Sequence, residues 1–123
     1  FEGYSGPYVL YAYVRAQAIL RKSNHLETRF PSETKMGEWE LSLLKWLARY
    51  PQKAYESGVE VAPHTICNYL YELAQRFNTF YANCPVLDAS EEEKGIRLAL
   101  ARATAQVLKN GLGLLGIETI EEM

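Results

Sequence analysis

Few residues of this sequence have the types and spacing that chemistry needs. Aromatic rings gather in "NYLYELAQRFNTFYANCPVL", Asn68 to Leu87, where Tyr69, Tyr71, Phe77, Phe80 and Tyr81 precede a stop at Pro85. A second cluster, "GPYVLYAYVR", sets Tyr8, Tyr11 and Arg15 at i, i+3 and i+7, the spacing of one helix face. A guanidinium beside two rings can stack on a flat base or pair with a phosphate. Tyr81, at the far end of the aromatic stretch beside "ANCPVL", could form a wall for something flat, such as a base, since a ring face stacks on any base. The plainer reading of the same residues is packing. Tyr8 and Tyr11 would then sit in the core with hydroxyls at the rim, and Arg15 would pair with an acid of the second half.

Other chemistry is missing. His64 and Cys67 stand three apart, a metal-ligand spacing, but zinc takes four ligands and the pair reads as structural. Two cysteines, Cys67 and Cys84, make no disulfide framework and fit a cytosolic compartment. "TKMGE" has a Lys-Met pair without a nucleotide loop, and no P-loop, dinucleotide fingerprint or HExxH occurs. His25 falls in a loop and His64 near a helix start, so no Ser/His/Asp set is suggested. The expectation is a binding or assembly module with no catalytic, cofactor-binding or metal residues of its own.

The chain's 123 residues fit one domain, and 48% apolar with 23% charged residues supports a packed core. Net charge is −2, which argues against indiscriminate nucleic-acid binding, but the charge is uneven. Residues 1–53 carry eight Lys and Arg against five acids, and residues 54–123 carry five against ten. An anionic ligand is therefore expected at the first half or its seam with the second. No apolar run reaches the roughly 18 residues of a membrane span. The opening "FEGYSGPY" is no signal peptide, and a start without Met inside a glycine-rich turn is expected of a piece of something longer.

The elements that must position these residues read as helices. Pro7 suits a first helical position, with "PYVLYAYVRAQAILRK" following. Tyr8, Tyr11, Arg15 and Ile19 line one side of it, and Leu10, Val14 and Ala18 another. "SNHLETRFPSETKMG" is a loop. "EWELSLLKWLARY" carries a core stripe of Trp39, Leu43, Trp46, Leu47 and Tyr50 up to Pro51. "QKAYESG" reads as short turns closed by Gly58. Pro63 opens the long aromatic helix, with Ile66, Leu70, Leu73, Phe77 and Phe80 as core and Cys67, Tyr71, Ala74, Asn78 and Tyr81 as a second stripe. Asn78, polar among apolar neighbours, should hydrogen-bond backbone across the bundle. Ser90 and Glu93 form a capping box. Leu98, Ala101, Ala105 and Leu108 share a side of the last helix, and Gly111 reads as its C-cap. The class is all-α, a compact bundle of four main helices plus short turns.

Three stretches together resemble one family. "FEGYSGPYVLYAYVRAQAILRK" (1–22), "LYELAQRFNTFYANCPVL" (70–87) and "RLALARATAQVLKNGLGLLGIETIEEM" (97–123) are similar, in that order, to the C-terminal anticodon-binding domain, of the DALR type, of class I arginyl-tRNA synthetases. The resemblance implies that residues 1–123 are that domain, a C-terminal fragment of a longer synthetase that uses ATP and Mg to load arginine onto its tRNA. The HIGH-like and KMSKS-like signatures are not found here, so the fragment alone would not aminoacylate and would hold no cofactor. The implied partners are the tRNA(Arg) anticodon stem-loop and the catalytic domain of the same chain, in a cytoplasmic monomer with no membrane contact. The resemblance implies RNA-binding roles for Tyr8, Tyr11, Arg15, Tyr81 and the terminal Met123, around a pocket for the central anticodon cytosine. Two positions depart from the family: a histidine is common where Tyr13 stands and a glutamine at Leu10, which would alter the first helix's outer face. The alternatives are the helical anticodon module of another synthetase, such as the glycyl enzyme's large subunit, and a protein-interaction bundle without RNA.

Overall fold

The computed structural model describes residues 5–23, 36–60 and 63–119, and every regular element within them is helical. The order is α1 (Ser5–Lys22), α2 (Glu38–Leu47), α3 (Tyr50–Glu60), α4 (Pro63–Asn83) and α5 (Glu91–Leu114). The all-α bundle expected from the sequence stands, with α1, α2, α4 and α5 as its main helices. The segment expected as short turns is one further helix, α3. Pro51 does not end α2. It lies in the first turn of α3, where backbone N–H groups lack intrahelical acceptors and a proline costs no bond. Pro7 plays the same part in the first turn of α1, which starts two residues earlier than expected.

Side-chain pairs fix the helix directions. Tyr8 meets Tyr71, and Arg15 meets Asn78, so α1 runs parallel to α4. Trp46 meets Tyr69, and Arg76 meets Ser42, so α2 runs antiparallel to α4. α5 returns antiparallel to α4 after the turn 84–90, and Gly111 packs on Leu70. The α4 stripe Ile66, Leu70, Leu73, Phe77 and Phe80 is buried, as its spacing requires, and Leu98, Ala101, Ala105 and Leu108 of α5 are buried against the same core.

Three expectations about the core need correction. On α1 the buried face is Val9, Ala12, Tyr13, Ala16 and Ile19, a stripe that shares only Ile19 with the first side read from the sequence and no residue with the second. Tyr13 is therefore core and not outer face, while Leu10 is partly buried. On α2 the inward residues are Glu40, Leu43 and Leu47, which leaves Trp39 38% exposed. Trp46 does sit at the seam. Its Nε1 donates to the Tyr69 carbonyl at 3.1 Å, the Tyr69 hydroxyl donates to the Trp46 carbonyl at 2.7 Å, and the rings stack at 5.4 Å. Gly111 is no cap, because α5 continues to Leu114. Gly116 takes the left-handed φ of 76° that ends it. There Ile117 N–H bonds the Leu112 carbonyl at 2.9 Å and Gly116 N–H the Gly113 carbonyl at 3.0 Å, the paired bonds of a Schellman motif. At the other end Ser90 caps α5 as expected, with its Oγ accepting from Glu93 N–H at 3.3 Å.

Candidate nucleic-acid interface

Parallel packing of α1 on α4 brings the second α4 stripe against the edge of α1. Arg15 lies with its guanidinium carbon 4.5 Å from the centre of the Tyr81 ring, a cation–π distance. Its Nη1 donates to Asn78 Oδ1 at 2.7 Å. Asn78 thus bonds a side chain of the neighbouring helix, where backbone was expected, because it faces α1 and not the core. Arg15 is exposed and makes no ion pair among the described residues, so none of their acids is the partner of the plainer reading. Tyr81 is 44% exposed and rests at 6.5 Å on Phe77, which anchors its inner side to the core.

The other expected site residues distribute unevenly. Tyr8 is half-buried and tilts on Tyr71 at 5.2 Å, two helical turns before Arg15 on the same edge. Tyr11 is 58% exposed, turned further from α4, and touches neither Arg15 nor Tyr81 through any ring contact. Met123 and residues 1–4 of the glycine-rich opening lie outside the described residues. The structure therefore brings Arg15 and Tyr81 together, puts Tyr8 on their edge, and leaves Tyr11 apart.

Beside this pair a cleft of about 350 Å³ opens between α1 and the turn after α4, the size range of small-ligand sites. Arg15, Lys22 and Tyr81 border it, with Ile19, Cys84 and Leu87 among its apolar lining. Burial pushes the Cys84 thiol above its ordinary value, partly opposed by the Arg97 charge. That thiol is protonated at neutral pH and acts as apolar floor, not nucleophile. The rim is held from behind by Arg97, whose Nη1 donates to the Pro85 carbonyl at 2.7 Å. Arg97 also donates through Nε to Glu40 at 3.1 Å and through Nη2 to Glu93 at 3.1 Å. Glu40 is buried and accepts the Gly37 N–H at 2.7 Å. Three segments, the start of α2, the 84–90 turn and the start of α5, thereby meet on one guanidinium.

Sequence reasoning missed Asn78, Lys22 and Arg97. Asn78 carried a signal, since it stands on the same stripe as Tyr81 and three residues before it. Arg97 carried only its i−4 spacing from Glu93, because its other partners, Glu40 and the Pro85 carbonyl, come from other segments. The arrangement offers a cation, an exposed ring and a preoriented amide at the mouth of an apolar cleft. Among the described residues no three His, Cys, Asp or Glu gather to hold a metal ion, and no helix is long and apolar enough to cross a membrane.

The sequence pattern of the family described as "DALR anticodon binding domain" matches residues 9–123. The chain is similar to the arginine–tRNA ligase of Saccharophagus degradans, 42% identical over 126 residues, and to that of Shewanella woodyi, 44% identical over 124 residues. Each alignment covers 100% of this chain but only 22% and 21% of those proteins, so the chain spans about a fifth of their length. Among solved structures, the Thermus thermophilus arginyl-tRNA synthetase superimposes with a TM-score of 0.90 at 35% identity, over 100% of this chain and 22% of that one. The Plasmodium falciparum arginyl-tRNA synthetase gives 0.79 at 28% identity, over 99% of this chain and 22% of that one.

Proposed function

Because the chain belongs to the DALR anticodon-binding domain family, we propose that residues 1–123 form one unit that grips the anticodon loop of tRNA(Arg) for an arginine–tRNA ligase. The observation that carries this reading is Arg15 held over Tyr81 and bonded to Asn78 at the mouth of the cleft. A loop base that slides onto the exposed Tyr81 ring gains about 1–3 kcal/mol from stacking. Arg15 has N–H groups left over from its bond to Asn78, and two neighbouring ones can meet the O2 and N3 acceptors of a cytosine. Uracil has a donor at N3, which faces the guanidinium with the wrong polarity and would be left unpaired. Tyr8 extends the aromatic edge, while Tyr11 and Lys22 stand where the sugar–phosphate strand passes. Met123 is assigned to the same pocket by family resemblance alone.

Adenylation and transfer of arginine would belong to the part of the ligase that this chain does not span. ATP and magnesium would act there, since nothing among the described residues fits either. A monomeric ligase in the cytoplasm is the setting this reading implies.

The test is a double cycle on the 123-residue chain. Binding of an anticodon stem-loop with central cytosine is measured against its uracil counterpart, for the parent and for Arg15→Ala and Tyr81→Ala. The reading expects a tenfold to hundredfold loss, about 1–3 kcal/mol, on changing the base or either residue, and little further loss on changing both. Additive losses would remove Arg15 and Tyr81 from base recognition.

A further inference from the structure

We propose that the shallow cleft on the opposite flank of α1, between α1 and α5, is a second RNA contact that takes the phosphodiester backbone. The proposal rests on the reading of the chain as an RNA-binding unit and adds a site to it. The cleft has a volume of about 240 Å³ and is lined by Tyr13, Gln17, Leu20, Arg102, Gln106 and Lys109 among others. Arg102, Gln106 and Lys109 follow one another at i, i+4 and i+7, so they share a face of α5, and all three are exposed. Neither cation forms an ion pair among the described residues.

The charge pattern around the cleft is the stronger observation. α1 carries no acid over its whole length, and two of its cations, Arg15 and Lys22, border the Tyr81 cleft on the other flank. The acids of α5 are confined to its first turn, Glu91 to Glu93, and from Gly95 to Gly116 the chain has Arg97, Arg102 and Lys109 without one Asp or Glu. A chain of net charge −2 thus keeps two adjacent helices free of negative charge along their shared seam. Such a seam attracts polyanions whatever the overall charge.

The geometry selects a backbone over a base or a small anion. Arg102 and Lys109 are two turns apart, about 10 Å along the axis, a span that a few nucleotides of strand would cover. The cleft is open, and its two amides point to no enclosed ring site. Gln17 Nε2 donates to the Tyr13 hydroxyl at 2.8 Å and Gln106 Nε2 to Asn110 Oδ1 at 2.8 Å, each keeping a second N–H. The Tyr81 cleft and this one flank the same helix, about 10 Å in diameter. A strand whose base enters the first can cross the exposed ridge of α1 and lay its phosphates on the second.

The test uses the 123-residue chain and a labelled anticodon stem-loop over a series of salt concentrations. Arg102→Gln and Lys109→Gln should each weaken binding about three- to tenfold at low salt. Each should also reduce the slope of log K against log salt by about one, leave the preference for cytosine over uracil unchanged, and leave the thermal melt in place. Lys109→Arg should bind as the parent does. Unchanged affinity and slope in both Gln variants would overturn the proposal and leave the seam to solvent or to an acidic protein surface. Loss of the cytosine preference in these variants would overturn it too, since a backbone site reads no base. If Arg15→Ala keeps that preference while the Gln variants flatten the slope, the anticodon reading fails and the phosphodiester site stands. A parent chain that binds no RNA at low salt overturns both.

Discussion

Arg97 reaches 57 residues along the sequence to bring its Nε 3.1 Å from the Glu40 carboxylate, and the pair closes one end of the bundle. Both side chains are nearly out of solvent, at 12% and 7% exposure. Removing one partner strands the other, which typically costs 3–5 kcal/mol for a buried pair. Arg97→Met should therefore lower stability by about 3 kcal/mol in chemical denaturation, and Glu40→Gln by less, because an amide oxygen still accepts from Gly37 N–H. A melt of Arg97→Met superimposable on the parent's would show that the pair is not a closure.

Two glycines of α5 should respond with opposite signs to alanine. A Cβ at Gly111 would fall 2.5 Å and 2.9 Å from the two methyls of the fully buried Leu70, whereas one at Gly113 meets nothing within 4 Å. Overpacking costs about 1–3 kcal/mol, and a helical Gly→Ala change returns up to about 1 kcal/mol. Gly111→Ala should destabilise and Gly113→Ala stabilise, read as shifts in denaturation midpoint. The same sign for both would mean that Leu70 makes way.

On the proposed reading, Asn78, which accepts a hydrogen bond from Arg15, affects RNA binding through Arg15 alone. Asn78→Ala should weaken stem-loop binding by about 1 kcal/mol, the worth of one hydrogen bond, with the melt nearly unmoved. In an Arg15→Ala background the same change should have no effect on affinity. A loss of equal size in both backgrounds would give Asn78 a separate contact with the ligand.

Alkaline pH tests the α2–α4 seam. Burial, and to a smaller degree the neighbouring Tyr50, push the Tyr69 hydroxyl well above its ordinary value. Its unfolded counterpart ionises near pH ~10. The folded state holds the proton that the unfolded state gives up, so this contribution is complete below pH ~10 and is lost as pH rises above it. Tyr69→Phe should cost about 1 kcal/mol at neutral pH through the lost bond to Trp46, and its stability should fall less steeply on the alkaline side. A parallel fall in both proteins would assign the alkaline loss to other tyrosines.

The α4 core was legible because Ile66, Leu70, Leu73, Phe77 and Phe80 are large, apolar and bounded by polar neighbours. α1 was not, since Tyr, Val, Leu and Ala surround it and its buried face includes the small residues Ala12 and Ala16. Periodicity cannot choose a side of a helix that is apolar all round. Glycine and proline misled where they serve packing or a first turn, as at Gly111 and Pro51. The Arg15–Tyr81 pairing was legible only as two residues suited to one ligand. The contact itself needs the parallel docking of α1 on α4, which local sequence does not encode.

That docking has a constant offset. Tyr8 meets Tyr71 and Arg15 meets Asn78, pairs that are each 63 residues apart, so the two helices keep step over two turns. The ring pair at the start of α1 works as a stop that sets where Arg15 arrives. A slip of one residue would turn Arg15 by about 100° and carry it about 1.5 Å along the axis, off Tyr81 and away from Asn78. Length changes in the connection between α1 and α2 leave the register untouched, whereas a single residue inserted in α1 between Tyr8 and Arg15 would disconnect the cation from its ring.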